Sequence, residues 1–361
     1  MAATRVPPAS LIRAVDRLRD GLGKLRRHSA PGPAVLLELI LGAWVSQGIT
    51  VAADLKIADA LADGPLRTDE LAKRVGADPD ALARLMRALV SAGVFTVRRG
   101  RYALNPVADA LRTDAPVSIA AMARFVGSPQ HREHWTHFTE AVRTGQPVIP
   151  TLRGMPAFEY LHSEPPLGAV FNDAMTSMSE FAIDPVVAAY DFTGYATIAD
   201  VGGGHGRLLA AILNAAPAAR GVLYDLPEVV EGAPAVLARF GVTERVAVES
   251  GSFFDAVPAG ADMYVMKNVI HDWADAESVA ILTSVRAAAR PGAKLLLLEA
   301  VIPEHHREFL PKWLDMEMLV SAGGRERTEA EYRALYQRAG FRLDRVVPTV
   351  TPFSLIEGVA V

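Results

Sequence analysis

The sequence predicts an α/β protein in two parts: a helical and winged-helix N-terminal half, then a doubly wound, mostly parallel sheet closed by an antiparallel hairpin. Three observations predict it. From Thr197 onward, short apolar runs ("TIADV", "GVLYDL", "RVAVES", "ADMYVMK", "KLLLLEAVI") alternate with helical patterns, the rhythm of strands covered on both faces. The first run leads into "DVGGGHGRLL", a glycine-rich turn of the kind that joins a strand to a helix beneath a ligand. Upstream, "LRTDELAKRVGADPDALARLMRALVSAGVFTVRRGRYALNP" reads as helix, turn, helix and hairpin, a winged-helix unit. These readings divide the chain into a helical and winged-helix dimerisation domain at 1–109, a helical connecting layer at 110–182 and the sheet domain at 183–361.

Residues 11–27, "LIRAVDRLRDGLGKLRR", are rich in Arg. A transit peptide would avoid acids such as Asp16 and Asp20, so a solvated amphipathic helix or loose tail fits better. Residues 35–62 read as two helices, with Leu36, Leu39, Ile40, Ala43 and Trp44, then Val51, Leu55, Ala58 and Leu61, at helical spacing. Thr68 before "DEL" starts the next helix with acids in its first turn, and Gly76 ends it. Asp78-Pro79 opens another, striped by Leu82, Leu85, Met86 and Leu89 and stopped at Gly93. "VFTVRRGRYAL" then folds back as a hairpin around Arg99-Gly100.

Residues 106–190 read as helices broken at Pro116, Pro129, Pro147, Pro156, Pro165-Pro166 and Pro185. Large side chains crowd this stretch, among them Phe125, Trp135, Phe158, Phe171, Met175 and Met178. Ordinary core at helical spacing and the wall of an aromatic-lined pocket both account for them. Beyond the parallel strands, "FRLDRVVPTVTPFSLIEGVAV" holds two strand-like runs with too little between them for a crossover helix, so an antiparallel hairpin must lie at the sheet edge.

Composition excludes several function classes. The chain has 361 residues and no cysteine, so disulfide frameworks, thiolate catalysis and cysteine-ligated zinc are ruled out, and a reducing cytoplasm fits. A net charge of −4 supplies no global basic field for nucleic acid. The second helix of the winged-helix unit offers only Arg84 and Arg87 beside Asp80, a weak footprint for reading DNA, so packing or dimerisation is the better account. No apolar run is expected to reach the roughly 20 residues of a membrane span.

The glycine turn contains Gly202, Gly203, Gly204 and Gly206, in a G-x-G-x-G register. The dinucleotide fingerprint fails, because its sixth position falls on Arg207 or Leu209. Asp225 ends the next strand, where a carboxylate can accept both hydroxyls of a ribose. "GSFFD" after the third strand adds Ser252 and an apolar Phe254, suited to an adenine edge and face. Together these point to a ligand containing adenosine, and the absence of a following Lys-Ser/Thr argues against ATP.

"MKNVIHDWADAESV" follows the fourth strand and places His271 at a strand's carboxyl end, where open α/β sheets carry chemistry. Asp272 and Trp273 adjoin it, Glu299 ends the neighbouring strand, and Glu326 lies in the loop "SAGGRERT". Carboxylates there can fix the ring and stabilise an imidazolium. For Glu326 a solvated cluster with Arg325 and Arg327 is the alternative.

With "FNDAM", "DVGGGHG", "YDLPEVV", "GSFF", "MKN", "HDW" and "GGRERT" in order along nearly the whole chain, the sequence resembles the S-adenosylmethionine-dependent small-molecule O-methyltransferases of the plant caffeate and bacterial polyketide type. The resemblance implies a Rossmann-like seven-stranded methyltransferase sheet and a homodimer. It implies that Gly202 and Gly204 approach the methionine end of S-adenosylmethionine, and that Asp225 holds the ribose. Ser252 and Phe254 would then frame adenine, with Lys267 and Trp273 nearby, and Ser252 stands where the family usually has Asp. His271 would be the general base, flanked by Glu299 and Glu326. Trp135, Phe171, Met175, Met178, Asp272 and Met318 would line the acceptor pocket, and no metal is required.

The chemistry expected is O-methylation of a phenolic or hydroxylated aromatic metabolite, antibiotic-like rather than a lignin precursor given the Arg-rich composition. A phenol with a pKa of about 10 needs a base at pH 7. C-methylation of an activated aromatic, another reaction on the same fold, and a ligand-responsive winged-helix DNA-binding regulator are the rivals.

Overall fold

A computed structural model describes residues 9–307 and 309–361, so the first eight residues of the expected N-terminal domain lie outside the described residues. The chain divides into two compact units. One contains Ala182–Val361 with Thr139–Gly154 and the described residues 9–20; the other contains Gly21–Phe138 and Met155–Phe181.

In the second unit the winged-helix reading holds. Helix Thr68–Val75 ends on Gly76 at φ 68°, a left-handed position that suits glycine. Helix Pro79–Ser91 is capped by Asp78, which accepts from the Ala81 N–H at 2.8 Å, and buries Leu82, Met86 and Leu89. Strands β1 (Thr96–Arg98) and β2 (Arg101–Ala103) pair antiparallel across Arg99 (φ 52°) and Gly100 (φ 74°). Positive φ at both turn residues matches the right-handed twist of a two-residue hairpin.

Two expectations are corrected in the helices. Helix Gly32–Asp54 runs 23 residues with Glu38 and Asp54 as its charged side chains, so an apolar run long enough to cross a membrane by length and composition does exist. The sequence reading missed it because Glu38, Gly42 and Gly48 divide the run. Leu36, Leu39, Ile40 and Trp44 on this helix are all exposed. The expected proline breaks fall at helix boundaries, with helices beginning at Pro129 and Pro165 and just after Pro147 and Pro156, where the missing N–H costs nothing; Pro185 is the exception. Pro185 does not break its helix, Pro165–Ala189. Ile183 and Val186 beside it are fully buried, and that packing outweighs the lost hydrogen bond.

In the first unit, β3 (Thr197–Val201), β4 (Arg220–Asp225), β5 (Val246–Ser250), β6 (Met263–Lys267), β7 (Lys294–Ile302), β8 (Arg327–Thr328), β9 (Phe341–Pro348) and β10 (Phe353–Ala360) form one sheet. Its order is β5-β4-β3-β6-β7-β10-β9, with β8 added beside the end of β7. The first five strands run parallel, and β10 lies antiparallel between β7 and β9, as the hairpin expectation required. After β5 the chain crosses back to place β6 on the other side of β3, which opens a crevice at the carboxyl ends of β3 and β6.

Strand β7 shows why the strands read as unbroken apolar runs. Leu295 and Leu297 enter the core on one face, with Tyr332, Tyr336 and Phe341; Leu296 and Leu298 enter the other, with Leu209, Ile212 and Val265. All four leucines are fully buried. Each contributes about 1.5–3 kcal/mol relative to exposure, which makes the carboxyl edge of this sheet a rigid platform.

Candidate active site

The glycine turn follows β3 with Gly202, Gly204 and Gly206 at φ 70°, 59° and 80°. Their reasons differ. A Cβ on Gly202 would lie 2.8 Å from Val269, and one on Gly203 would strike Leu223 and Asp200 at 2.6 and 2.7 Å. A Cβ on Gly204 would meet nothing within 4 Å, so packing does not exclude a side chain there. Asp225, ending β4, accepts from the Gly204 N–H at 2.8 Å and from Leu226 N–H at 2.7 Å, one bond to each carboxylate oxygen. A carboxylate has about four acceptor sites, so each oxygen keeps one for a ligand hydroxyl.

Beyond β5, the Ser252 hydroxyl accepts from the Phe254 N–H at 3.2 Å. Phe254 is 39% exposed and meets the Trp273 ring edge-to-face at 4.8 Å, and Phe253 lies near both. An exposed apolar ring after β5, an open glycine turn after β3 and a carboxylate with spare acceptor capacity at the end of β4 are the parts an adenosyl group would need. Lys267, at the end of β6, sits in the field of Asp200 and Glu299; burial lowers its pKa and the two carboxylates oppose that. Asp200 was not anticipated. It is buried beneath Gly203, and burial pushes its pKa up to about 7 while Lys267 and the Leu209 backbone N–H oppose the rise.

His271 occupies a tight turn, Ile270–Asp272, just after β6. Asn268 enters it at φ 53°, and the Val269 and Ile270 N–H groups both donate to Glu299 Oε1, at 3.0 and 2.9 Å. Glu299, fully buried on β7, thereby fixes the turn. Its Oε2 lies 3.8 Å from His271 Nδ1, and Glu326 Oε1 lies 2.9 Å from the same nitrogen. Asp272 Oδ1 stands 3.5 Å from Nε2. Burial disfavours charge on the ring, but Asp272, Glu299 and Glu326 outweigh it and push the His271 pKa up to about 10. Burial pushes Glu299 up to about 7, and it raises Asp272 as well.

The loop carrying Glu326 is not a solvated charge cluster. Glu326 is 3% exposed and Arg327 is fully buried; Arg325 alone reaches the surface. The Glu326 N–H donates to Asp315 at 2.9 Å, and the Arg325 N–H donates to the His271 carbonyl at 2.8 Å. Gly324 has no room for a Cβ, which would lie 2.0 Å from that carbonyl. Only the paired glycines hint at this last contact in the sequence. Ligand atoms of His271, Glu299 and Glu326 all lie within 4.8 Å of one another, near enough to share a proton or a cation.

Met318 lies half-buried on helix Pro311–Ser321, and its carbonyl accepts from the Gly323 N–H at 2.8 Å, where that helix turns into the Glu326 loop. The other expected pocket residues belong to the second unit. Trp135 packs on Phe138 at 5.1 Å, and Phe171 packs on Phe125 at 5.2 Å and Phe158 at 6.5 Å. Met175 and Met178 are half-buried on the same helix as Phe171.

Comparison with known proteins agrees with this geometry. A family model described as an O-methyltransferase domain matches residues 135–342, and one described as an O-methyltransferase dimerisation domain matches residues 37–114. The chain is 40% identical over 333 residues to the phenazine O-methyltransferase PhzM of Lysobacter antibioticus, covering 92% of this chain and 97% of that one. It is 38% identical to an 8-amino-8-demethylriboflavin N,N-dimethyltransferase of Streptomyces davaonensis, over 84% of this chain and 89% of the relative. Among solved structures, NcsB1, an O-methyltransferase from neocarzinostatin biosynthesis in complex with S-adenosylmethionine and 2-hydroxy-5-methyl naphthoic acid, superposes with a TM-score of 0.73 at 34% identity. That match covers 88% of this chain and 96% of the other.

Proposed function

The chain belongs to the S-adenosylmethionine-dependent O-methyltransferase family, and from that premise we propose that it methylates a phenolic hydroxyl of an aromatic natural product, with His271 as the base. One observation carries the mechanism: Glu326 holds His271 Nδ1 at 2.9 Å, so the neutral ring keeps its hydrogen on Nδ1 and offers the Nε2 lone pair to an acceptor.

When bound, S-adenosylmethionine supplies an electrophilic methyl on a sulfonium. The residues proposed to hold it are Gly202 and Gly204 at the methionine end, Asp225 at the ribose, Ser252 and Phe254 at adenine, with Lys267 and Trp273 alongside. Gly204 supports the assignment, because its outer side is open and its N–H and Asp225 form one continuous rim. His271 Nε2 would take the phenol proton, so that the acceptor oxygen carries negative charge when it meets that methyl group. Glu326 and Glu299 then balance the imidazolium. Asp272, Glu299 and Glu326 push the His271 pKa up to about 10, which favours the charged ring over the neutral one at neutral pH. An acceptor already ionised there pairs directly with the imidazolium, and a neutral phenol must meet the minor neutral form.

Trp135, Phe171, Met175, Met178, Asp272 and Met318 are proposed to line the acceptor pocket. The domain boundaries read from the sequence, 109/110 and 182/183, are carried forward with it. Homodimerisation through residues 10–110 would cover the exposed Leu39, Ile40 and Trp44, and the enzyme is proposed to be cytoplasmic. The match to an N,N-dimethyltransferase favours a second reading, methylation of an arylamine.

The test is a paired measurement on wild type and His271→Ala. Calorimetry with S-adenosylmethionine should give equal affinities, and a screen of phenols and arylamines should yield methyl transfer by wild type alone. Product NMR assigns O, N or C. Full activity in His271→Ala refutes the base, and no binding of S-adenosylmethionine at millimolar concentration refutes the cofactor assignment.

A further inference from the structure

Arg327 is the bulkiest fully buried side chain among the described residues. A guanidinium leaves water without heavy penalty only where its N–H groups are met. Here Nε and Nη2 donate to Asp275 Oδ1 at 3.0 and 2.8 Å, Nη1 donates to the Ile270 carbonyl at 3.0 Å, and Nη2 also donates to the Trp273 carbonyl at 2.8 Å. Ile270 and Trp273 bracket His271 and Asp272. At the start of β8, Arg327 directly follows Glu326, the partner of His271 Nδ1. A planar fork of fixed geometry therefore ties both ends of the His271 turn to the segment that carries its carboxylate.

We infer that Arg327 is a positioning residue for methyl transfer: by bridging the carbonyls of Ile270 and Trp273 it sets the approach of His271 Nδ1 to Glu326, and so the direction in which Nε2 faces. The inference rests on the reading of His271 as base. Other contacts act in the same sense but fix less. The Ser278 hydroxyl donates to the same two carbonyls at 3.3 and 3.2 Å, and the Arg325 N–H holds only the His271 carbonyl. None of these spans from the turn to a charged anchor on the helix Asp275–Ala288, as Arg327 does through Asp275.

Arg327→Lys isolates this role because it keeps the charge and loses the fork. A lysine reaches Asp275 or one carbonyl, not all three acceptors at once. The groups facing His271 are Asp272 from its own turn, Glu299 from β7 and Glu326 from the loop before β8; behind them stand Asp315 on helix Pro311–Ser321 and Lys267 on β6. All keep their charges in the variant, so a change at His271 reports geometry.

The full chain, labelled with ring-15N histidine and saturated with S-adenosylhomocysteine, is titrated by NMR, with His271 assigned by comparison with His271→Ala. In Arg327→Lys the His271 midpoint should fall by about one pH unit or more as the Nδ1–Glu326 bond lengthens. The turnover number on the acceptor identified by screening should fall about 100-fold, while affinity for S-adenosylmethionine holds. A variant that binds S-adenosylmethionine normally, yet titrates within about 0.3 pH unit of wild type, overturns the inference. If Arg327→Lys does not fold, Asp275→Asn decides. Because this variant also loses a charge, a shift in its midpoint counts only if the charge-preserving Asp275→Glu, which displaces the half-exposed anchor, moves it the same way; no change in Asp275→Glu overturns the inference. Should His271→Ala retain full methyl transfer, the base assignment fails, but the titration still reports whether Arg327 orients the ring, so the two failures are separable.

Discussion

Replacing Glu326 by glutamine is the sharpest probe of the His271 cluster. The substitution keeps the shape and the Nδ1 acceptor while deleting one negative charge at 2.9 Å from the ring. Three carboxylates, at 2.9, 3.5 and 3.8 Å, hold the His271 pKa near 10 against burial, which works the other way. A carboxylate this close is worth about 1–3 pH units, and two remain in the variant. The midpoint should therefore drop by about one to two units, equivalent to about 1.4–2.7 kcal/mol of lost stabilisation of the imidazolium. For a neutral phenol, kcat/KM rises with pH as His271 loses its proton, so the acid limb should extend to about 10 in wild type and bend one to two units earlier in Glu326→Gln. The same linkage governs stability. A folded pKa raised above the ordinary histidine value stabilises the fold fully below about 6.5, and this contribution is lost as pH rises through about 10. The variant should lose less stability than wild type over that window in urea titrations. An acid limb that does not move, in an enzyme that still binds S-adenosylmethionine, would refute the electrostatic account.

Three further outcomes follow from the same geometry. Asp225→Asn should weaken S-adenosylmethionine about 10–100-fold by calorimetry, because hydrogen bonds to a charged acceptor are worth about 1.5–3 kcal/mol, and should also lower the melting temperature, because the amide nitrogen cannot accept from the Gly204 or Leu226 N–H it faces; unchanged affinity removes Asp225 from the ribose site. Gly204→Ala meets open space in the protein but strains φ 59°, so its cost in stability should stay near 1–2 kcal/mol while affinity for S-adenosylmethionine falls further. Equal losses in both would mean that no ligand lies against that backbone. Trp44→Glu places a charge in the exposed apolar surface of helix Gly32–Asp54 and should shift light scattering toward a single 38.7 kDa chain; a dimer that persists puts the contact elsewhere.

Much of this was legible in the sequence where the signal is local. The parallel strands show as apolar runs because both of their faces are covered, and Leu295 to Leu298 demonstrate it residue by residue. The terminal hairpin was legible from the short spacing between its two strands, and Asp78-Pro79 announced its helix. The site was legible as far as its residue types. Its geometry was not, because Glu326 meets His271 across 55 positions of chain and no periodicity encodes that approach. The solvated-cluster alternative for Glu326 arose for the same reason: three alternating charges look solvated until the backbone carbonyls that receive Arg327 are placed. Asp200 was hidden because a carboxylate under a glycine turn reads as part of the turn. Helix Gly32–Asp54 defeated the apolar-run criterion because a single Glu38 interrupts a stretch that tertiary structure leaves exposed.

The antiparallel seat of β10 between β7 and β9 sets the order in which the sheet can be finished. Strand β7 carries four consecutive buried leucines, and the partner for its second edge arrives with Leu355 opposite Leu298, about 60 residues later in the chain. At a synthesis rate of about 5–20 residues per second, that edge stays unpaired for about 3–12 s on the ribosome. An apolar strand with free N–H and C=O groups is a template for another chain during that interval. Slowed translation after β7, or a mutation that delays the β9–β10 turn, should therefore lower soluble yield at the stage of synthesis while leaving the stability of the finished enzyme unchanged.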